Sequence, residues 1–127
     1  MTFILLSAEL VESIHDAILN PGELPGRARD KSLEGALARV DNRILYGMIE
    51  DAFDLAAAYA IAIAQGHCFN DGNKRTAHQS MDVCLDLNGV QIGWNHEDVG
   101  QTIIRAAQRL FDEAELAEWL RQRAPRA

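Results

Sequence analysis

One stretch restricts the folds open to this chain more than any other: Leu55 to Ala64, LAAAYAIAIA, is apolar at every position. A helix lying on a protein surface carries an apolar stripe on one side only, so a segment apolar all round must be enclosed by other elements. It is too short to cross a bilayer, which takes about 20 residues. The run predicts a central helix with its neighbours packed around it. Gln65-Gly66 marks its end.

The rest of the chain supplies those neighbours. Ser7 reads as the N-cap of a first helix carrying Leu10, Val11, Ile14, Ala17 and Ile18, closed by Asn20-Pro21-Gly22. A loop follows over 22–31. A second helix from about Ser32 puts Leu33, Leu37, Val40 and Ile44 on one face, and the central helix begins near Ile49. A fourth starts around Asn73 with Ala77, Met81, Cys84 and Leu85 inward and Asn88-Gly89 as its C-cap. Asn95 opens a fifth, with Val99, Ile103, Ala106, Ala107 and Leu110 inward. Asp112 opens a sixth, with Leu116, Trp119 and Leu120 inward. Thr2 to Leu6 and Val90 to Trp94 pattern like short strands. The expectation is one compact all-α domain over 1–127, with about six helices and at most a short strand or hairpin.

Charge narrows the function. A net charge of -7 argues against a nucleic-acid-binding domain, which is normally basic. Any site for a polyanion must then gather its positive charge locally. The tail arginines Arg121, Arg123 and Arg126 read as an offset to the dipole of the last helix. Cys68 and Cys84 form neither a disulfide framework nor a metal-ligand spacing, and MTFILLSAEL lacks the basic leader of a signal peptide. A reducing cytoplasm, with no membrane contact, is the expected setting.

The chemistry lies in the loop after the central helix, GHCFNDGNKRTA from Gly66 to Ala77. Gly72 can take a positive φ, so that successive N–H groups turn toward one point. Asn73 then opens a helix whose free amides and dipole attract an anion. Lys74 and Arg75 stand at that helix start, where cations cost roughly 0.3–1 kcal/mol each unless a bound phosphate reverses the sign. His67 can take a proton from a hydroxyl near neutral pH. Asp71, a carboxylate inside a phosphate cradle, suits Mg²⁺. Phe69 is expected to point inward and anchor the loop.

This segment resembles the Fic motif, H-x-F-x-[DE]-G-N-x-R, through His67, Phe69, Asp71, Gly72, Asn73 and Arg75. His15-Asp16, the GRARD turn from Gly26 to Asp30, LEGALAR from Leu33 to Arg39 and Leu87-Asn88-Gly89 extend the resemblance to the Doc (death-on-curing) branch of the Fic/Doc family. The resemblance implies a Fic/Doc helical fold in which His67 is the base, Asp71 holds Mg²⁺, and Gly72, Asn73, Lys74 and Arg75 bind ATP phosphates. Relatives that transfer AMP have proline, glycine and a second arginine where this chain has Cys68, Lys74 and His78. Those departures are similar to Doc, whose members bind ATP in a reversed orientation and transfer its γ-phosphate. The implied target is a threonine of elongation factor Tu, with arrest of translation, and the implied partner is a Phd-like antitoxin. Adenylyl transfer, and a non-catalytic role as partner and corepressor of an antitoxin, are the alternatives.

The resemblance also implies a target-aligning hairpin over Asp41 to Gly47, although no turn chemistry stands there. An inhibitory [ST]-x-x-x-E-[GN] helix has its nearest match in Asp30 to Gly35 and fails at the first position. Other histidines and cysteines read blandly. His15 is expected as a hydrogen-bonded helix residue, and not as half of an HD-type metal pair. His78 reads as a surface histidine, His96 as a first-turn residue without function, and Cys68 and Cys84 as apolar filler.

Overall fold

The computed structural model describes residues 2–91 and 93–124. Among them run six helices: α1 Ala8–Ile18, α2 Leu33–Leu45, α3 Ala52–Gly66, α4 Asn73–Leu87, α5 His96–Ala107 and α6 Glu113–Arg123. Five of the six begin on a side chain that accepts the otherwise unpaired amides of the first turn. Ser7 takes Leu10 N–H, Ser32 takes Gly35 N–H, Asp51 takes Asp54 N–H, and Asn95 takes those of Glu97 and Asp98. Asp112 forms a reciprocal capping box with Glu115. The sixth, α4, starts on Gly72 and has no side-chain cap.

The apolar run sits at the centre. Every residue from Leu55 to Ala64 is buried, and α3 packs against α2, α4, α5 and α6. Its alanines let neighbouring backbones approach closely, while Leu55, Ile61 and Ile63 fill the gaps; burying each such branched side chain contributes about 1.5–3 kcal/mol. Tyr59 is buried with its hydroxyl accepting Leu6 N–H at 3.0 Å, and burial pushes its pKa up to about 12. Among the described residues no helix is long and apolar enough to cross a membrane.

Several local expectations are corrected. The central helix starts at Ala52, because Asp51 and not Ile49 carries the cap. No strand forms at Thr2 to Leu6; Ile4 exchanges both backbone bonds with the Asn88 side-chain amide, at 2.9 and 3.0 Å. Val90, Gln91, Gly93 and Trp94 form no strand either, and Ile92 lies outside the described residues. Leu110 lies beyond the end of α5 and is exposed. Asp41 to Leu45 continues α2, followed by a turn at Tyr46-Gly47, so no hairpin occupies that stretch. Arg121 does more than offset a dipole. Its guanidinium holds the Asp51 carboxylate through both oxygens, at 3.0 and 3.1 Å, and reaches Asp54 at 3.1 Å, tying α6 to the start of α3. Arg126 lies outside the described residues.

Candidate active site

The loop from His67 to Gly72 leaves the buried end of α3 and enters α4, and four separate anchors fix it. The first is at Gly66, where a Cβ would lie 3.0 Å from Cys68 Sγ, so a side chain there would press on the cysteine that the next turn buries. His67 then turns the chain by adopting a left-handed conformation, φ 50° and ψ 42°. For a residue with a Cβ this costs roughly 1–2 kcal/mol. The turn buries Cys68 and Phe69 and leaves His67 exposed. No protein group among the described residues bonds its imidazole.

The second anchor is the 22–31 loop. Ala28 N–H donates to Cys68 O at 2.8 Å and Asn70 N–H to Gly26 O at 3.2 Å, an isolated antiparallel bridge centred on Arg27 and Phe69. The Asn70 amide adds a bond to Pro25 O at 2.9 Å. Arg27 carries the brace onward to Glu12 of α1 and Glu34 of α2, at 2.9 and 2.6 Å. The third anchor is His15, fully buried on α1. Its ring stacks on Phe69 with centroids 3.9 Å apart, and its Nε2–H donates to Asp71 O at 2.7 Å. The carbonyl can only accept, which places the proton on Nε2. The fourth is Asn73, whose side chain accepts Phe69 N–H at 3.0 Å and donates to Phe69 O at 2.9 Å.

Held in this way, Gly72 takes φ 78° and ψ 19° and α4 begins uncapped. The N–H groups of Asn73, Lys74 and Arg75 meet no acceptor among the described residues. They adjoin a cleft of about 520 Å³, with His67, Asp71 and His78 on its α4 side and Glu97, Gln101 and Ile104 of α5 opposite. Asp71 gives one carboxylate oxygen, Oδ2, to Leu24 N–H at 2.8 Å. Lys74 is exposed at the cleft. The structure thus brings together His67, Asp71, Gly72, Asn73, Lys74 and Arg75 on one lining.

Arg75 is engaged differently from a free phosphate clamp. Its Nη1 donates to Ile18 O at 3.0 Å and its Nη2 pairs with Glu23, joining α4 to the end of α1. That guanidinium, together with Asn20 N–H, holds the Glu23 carboxyl below its usual range. Arg75 lines the cleft with both terminal nitrogens already engaged.

The bland reading of His78 is corrected: it is half-buried and lines the cleft one turn above Lys74. Burial, and then His96, lower its pKa. Burial pushes the Asp82 carboxyl beneath it up to about 6, against the pull of His96. Cys68 and Cys84 are buried, with burial raising both thiols, so they are filler as expected. Sequence reasoning missed Glu23 and the bracing roles of His15 and Arg27. Their partners stand 52, 56 and 42 positions away (75-23, 71-15 and 69-27), beyond the reach of any local pattern.

The cleft lies in a region with clear relatives. A family model described as the Fic/DOC family matches residues 5–85. The chain is 36% identical over 118 residues to "Protein kinase doc" of Escherichia phage P1, covering 92% of this chain and 93% of that one. It is 39% identical over 75 residues to "Toxin Doc" of Mycolicibacterium smegmatis, covering 56% and 55%.

Proposed function

The chain belongs to the Fic/Doc family, and from that premise we propose that it is a Doc-type toxin which transfers the γ-phosphoryl group of ATP to a threonine or serine hydroxyl of a target protein. One observation carries the reading: an exposed imidazole and uncapped helix amides share a single cleft. The imidazole of His67 takes the proton of the target hydroxyl. The oxygen so freed bonds to the γ-phosphorus, the bond from that phosphorus to the β–γ bridging oxygen breaks, and ADP departs with the electron pair. The amides at Gly72 to Arg75 and the Lys74 ammonium oppose phosphate charge where it develops.

The donor set also fits Mg²⁺. Asp71 Oδ1 is a hard carboxylate oxygen with no hydrogen-bond donor among the described residues, and Oδ2 is held by Leu24, which fixes the direction of Oδ1. Asp71 would hold the ion, which when bound would neutralise phosphate charge.

Kinase chemistry is favoured over adenylyl transfer by Lys74 and His78, which replace the glycine and second arginine of AMP-transferring relatives, and by the similarity to a phage protein named as a kinase. The target is elongation factor Tu, the outcome is arrest of translation in the cytoplasm, and a Phd-like antitoxin restrains the toxin. Incubation with a cell lysate and ATP labelled separately at the α- and γ-phosphates tests the reading. Label is expected from γ alone, and His67→Ala should lower transfer by about 100- to 10,000-fold. Label from α would mean adenylylation; label from neither would favour a non-catalytic antitoxin partner.

A further inference from the structure

His78, Asp82 and His96 converge from two helices on one point. His78 and Asp82 are one turn apart on α4, and His96 is the first residue of α5. Their ligand atoms all lie within 4.8 Å of one another. His78 Nε2 is 3.6 Å, and His96 Nδ1 3.8 Å, from Asp82 Oδ2. Those separations are too long for hydrogen bonds. Ligands that each sit about 2.0–2.1 Å from a shared zinc ion at tetrahedral angles are about 3.3–3.4 Å apart, so these two separations would have to close by a few tenths of an ångström around an ion.

The ordinary alternative is a structural cluster of two imidazoles around a carboxylate, and it leaves too much unpaired. Asp82 is only 7% exposed, yet its buried Oδ1 has no hydrogen-bond partner of normal geometry among the described residues. His78 Nε2 is buried and also unbonded, although it is aimed at that carboxylate. A buried carboxylate or imidazole nitrogen without a partner carries the full cost of its lost hydration. The Trp94 indole N–H, buried beside Asp82 and without an acceptor of normal geometry, is placed to steady the carboxylate. Carboxylate ligands are typically steadied in that way.

We propose that His78, Asp82 and His96 form a binding site for one divalent transition-metal ion of the zinc class, with a fourth position open to water. Two imidazole nitrogens, which are borderline ligands, beside one hard carboxylate oxygen suit zinc better than Mg²⁺ or Ca²⁺. The ion would clasp the start of α5 to α4. Those two helices form the facing walls of the nucleotide cleft, and His78 belongs to both sites. The inference stands on this cluster alone and does not depend on the transfer chemistry.

Co²⁺ titration of the chelator-treated full chain, followed by visible absorption, tests it. The wild type should take up one equivalent with the d–d bands of a four- or five-coordinate ion, and Zn²⁺ should bleach them. His96→Ala is the informative variant, because that side chain is 72% exposed and its loss leaves the core intact. It should weaken Co²⁺ binding at least roughly tenfold, the loss seen when even a supporting partner is removed, and should abolish the rise in melting temperature that Zn²⁺ gives the wild type. His67→Ala should bind as the wild type does. Equal binding by His96→Ala, uptake of less than one equivalent by the wild type, or loss of binding in His67→Ala would each overturn the site.

Discussion

His67 and His15 show how differently two imidazoles can serve one loop. His67 is exposed, unbonded and held in a left-handed turn, a strained conformation of the kind that persists only where the surroundings dictate it. His15 is buried and spends Nε2 on the Asp71 carbonyl, so it cannot act as an acid or base toward a substrate and is a positioning residue. His15→Phe keeps a ring against Phe69 and removes the bond. It should cost about 1–3 kcal/mol of stability through the unpaired carbonyl. It should also lower kcat by roughly 10- to 100-fold, because a displacement near 1 Å at a reacting centre is worth up to the larger factor. Urea unfolding and steady-state kinetics check both; a fully active variant of native stability would show that the loop is held without this contact. That the motif residues line one cleft was legible because they fall within nine consecutive positions from His67 to Arg75. His15 was legible only as a hydrogen-bonded residue, since the identity of its partner is set by how α1 packs on α4.

Helix caps are local, and so the element boundaries read well: Ser7, Ser32, Asn95 and Asp112 stand where the sequence placed them. The short strands failed because an extended run can satisfy its amides in several ways, and Asn88 satisfies those of Ile4 by itself. The helix-to-helix ties failed for the opposite reason, that any acidic residue on the surface is a plausible partner for a terminal arginine. At α3 the cap and the tie coincide on Asp51. Burial alone would raise its carboxyl pKa, but the Arg121 guanidinium and the Asp54 and Phe53 amides reverse that and hold it below the ordinary value. A lowered folded-state pKa means stability that is present at neutral pH and lost as pH falls below about 4. Asp51→Asn keeps a good N-cap and removes the charge. It should cost less than about 1 kcal/mol at neutral pH, since the pair is more than a third exposed and screened by solvent. That gap in urea midpoint should narrow progressively as pH falls below about 4. A gap that persisted in acid would mean the cap, and not the charge, carries the effect.

Taken as a whole, the molecule is an acidic body with net charge -7 that carries one uncapped helix mouth. A field of that sign repels a nucleotide, so the proposed ATP site must rely on short-range groups. Of the two cations expected there, Arg75 is shared with Glu23 and the Ile18 carbonyl, whereas Lys74 is exposed at the cleft. Lys74 should therefore contribute most of the full positive charge that a phosphate meets, beside the fixed dipole of α4. The two contributions differ in their response to salt. An exposed ammonium is screened strongly once the Debye length falls from about 30 Å at 0.01 M to about 3 Å at 1 M, whereas amides bonded directly to phosphate are screened far less. Lys74→Met should thus raise the Kd for ATP by about tenfold at low ionic strength, equivalent to about 1.4 kcal/mol. The ratio between variant and wild type should shrink to twofold or threefold at roughly 0.5 M salt. Calorimetric titration across that series measures it. A ratio that stayed constant with salt would show that Lys74 acts by shaping the cleft, and a variant that bound ATP as tightly as the wild type at low salt would remove Lys74 from the phosphate site and leave the amides of α4 as the principal anchor.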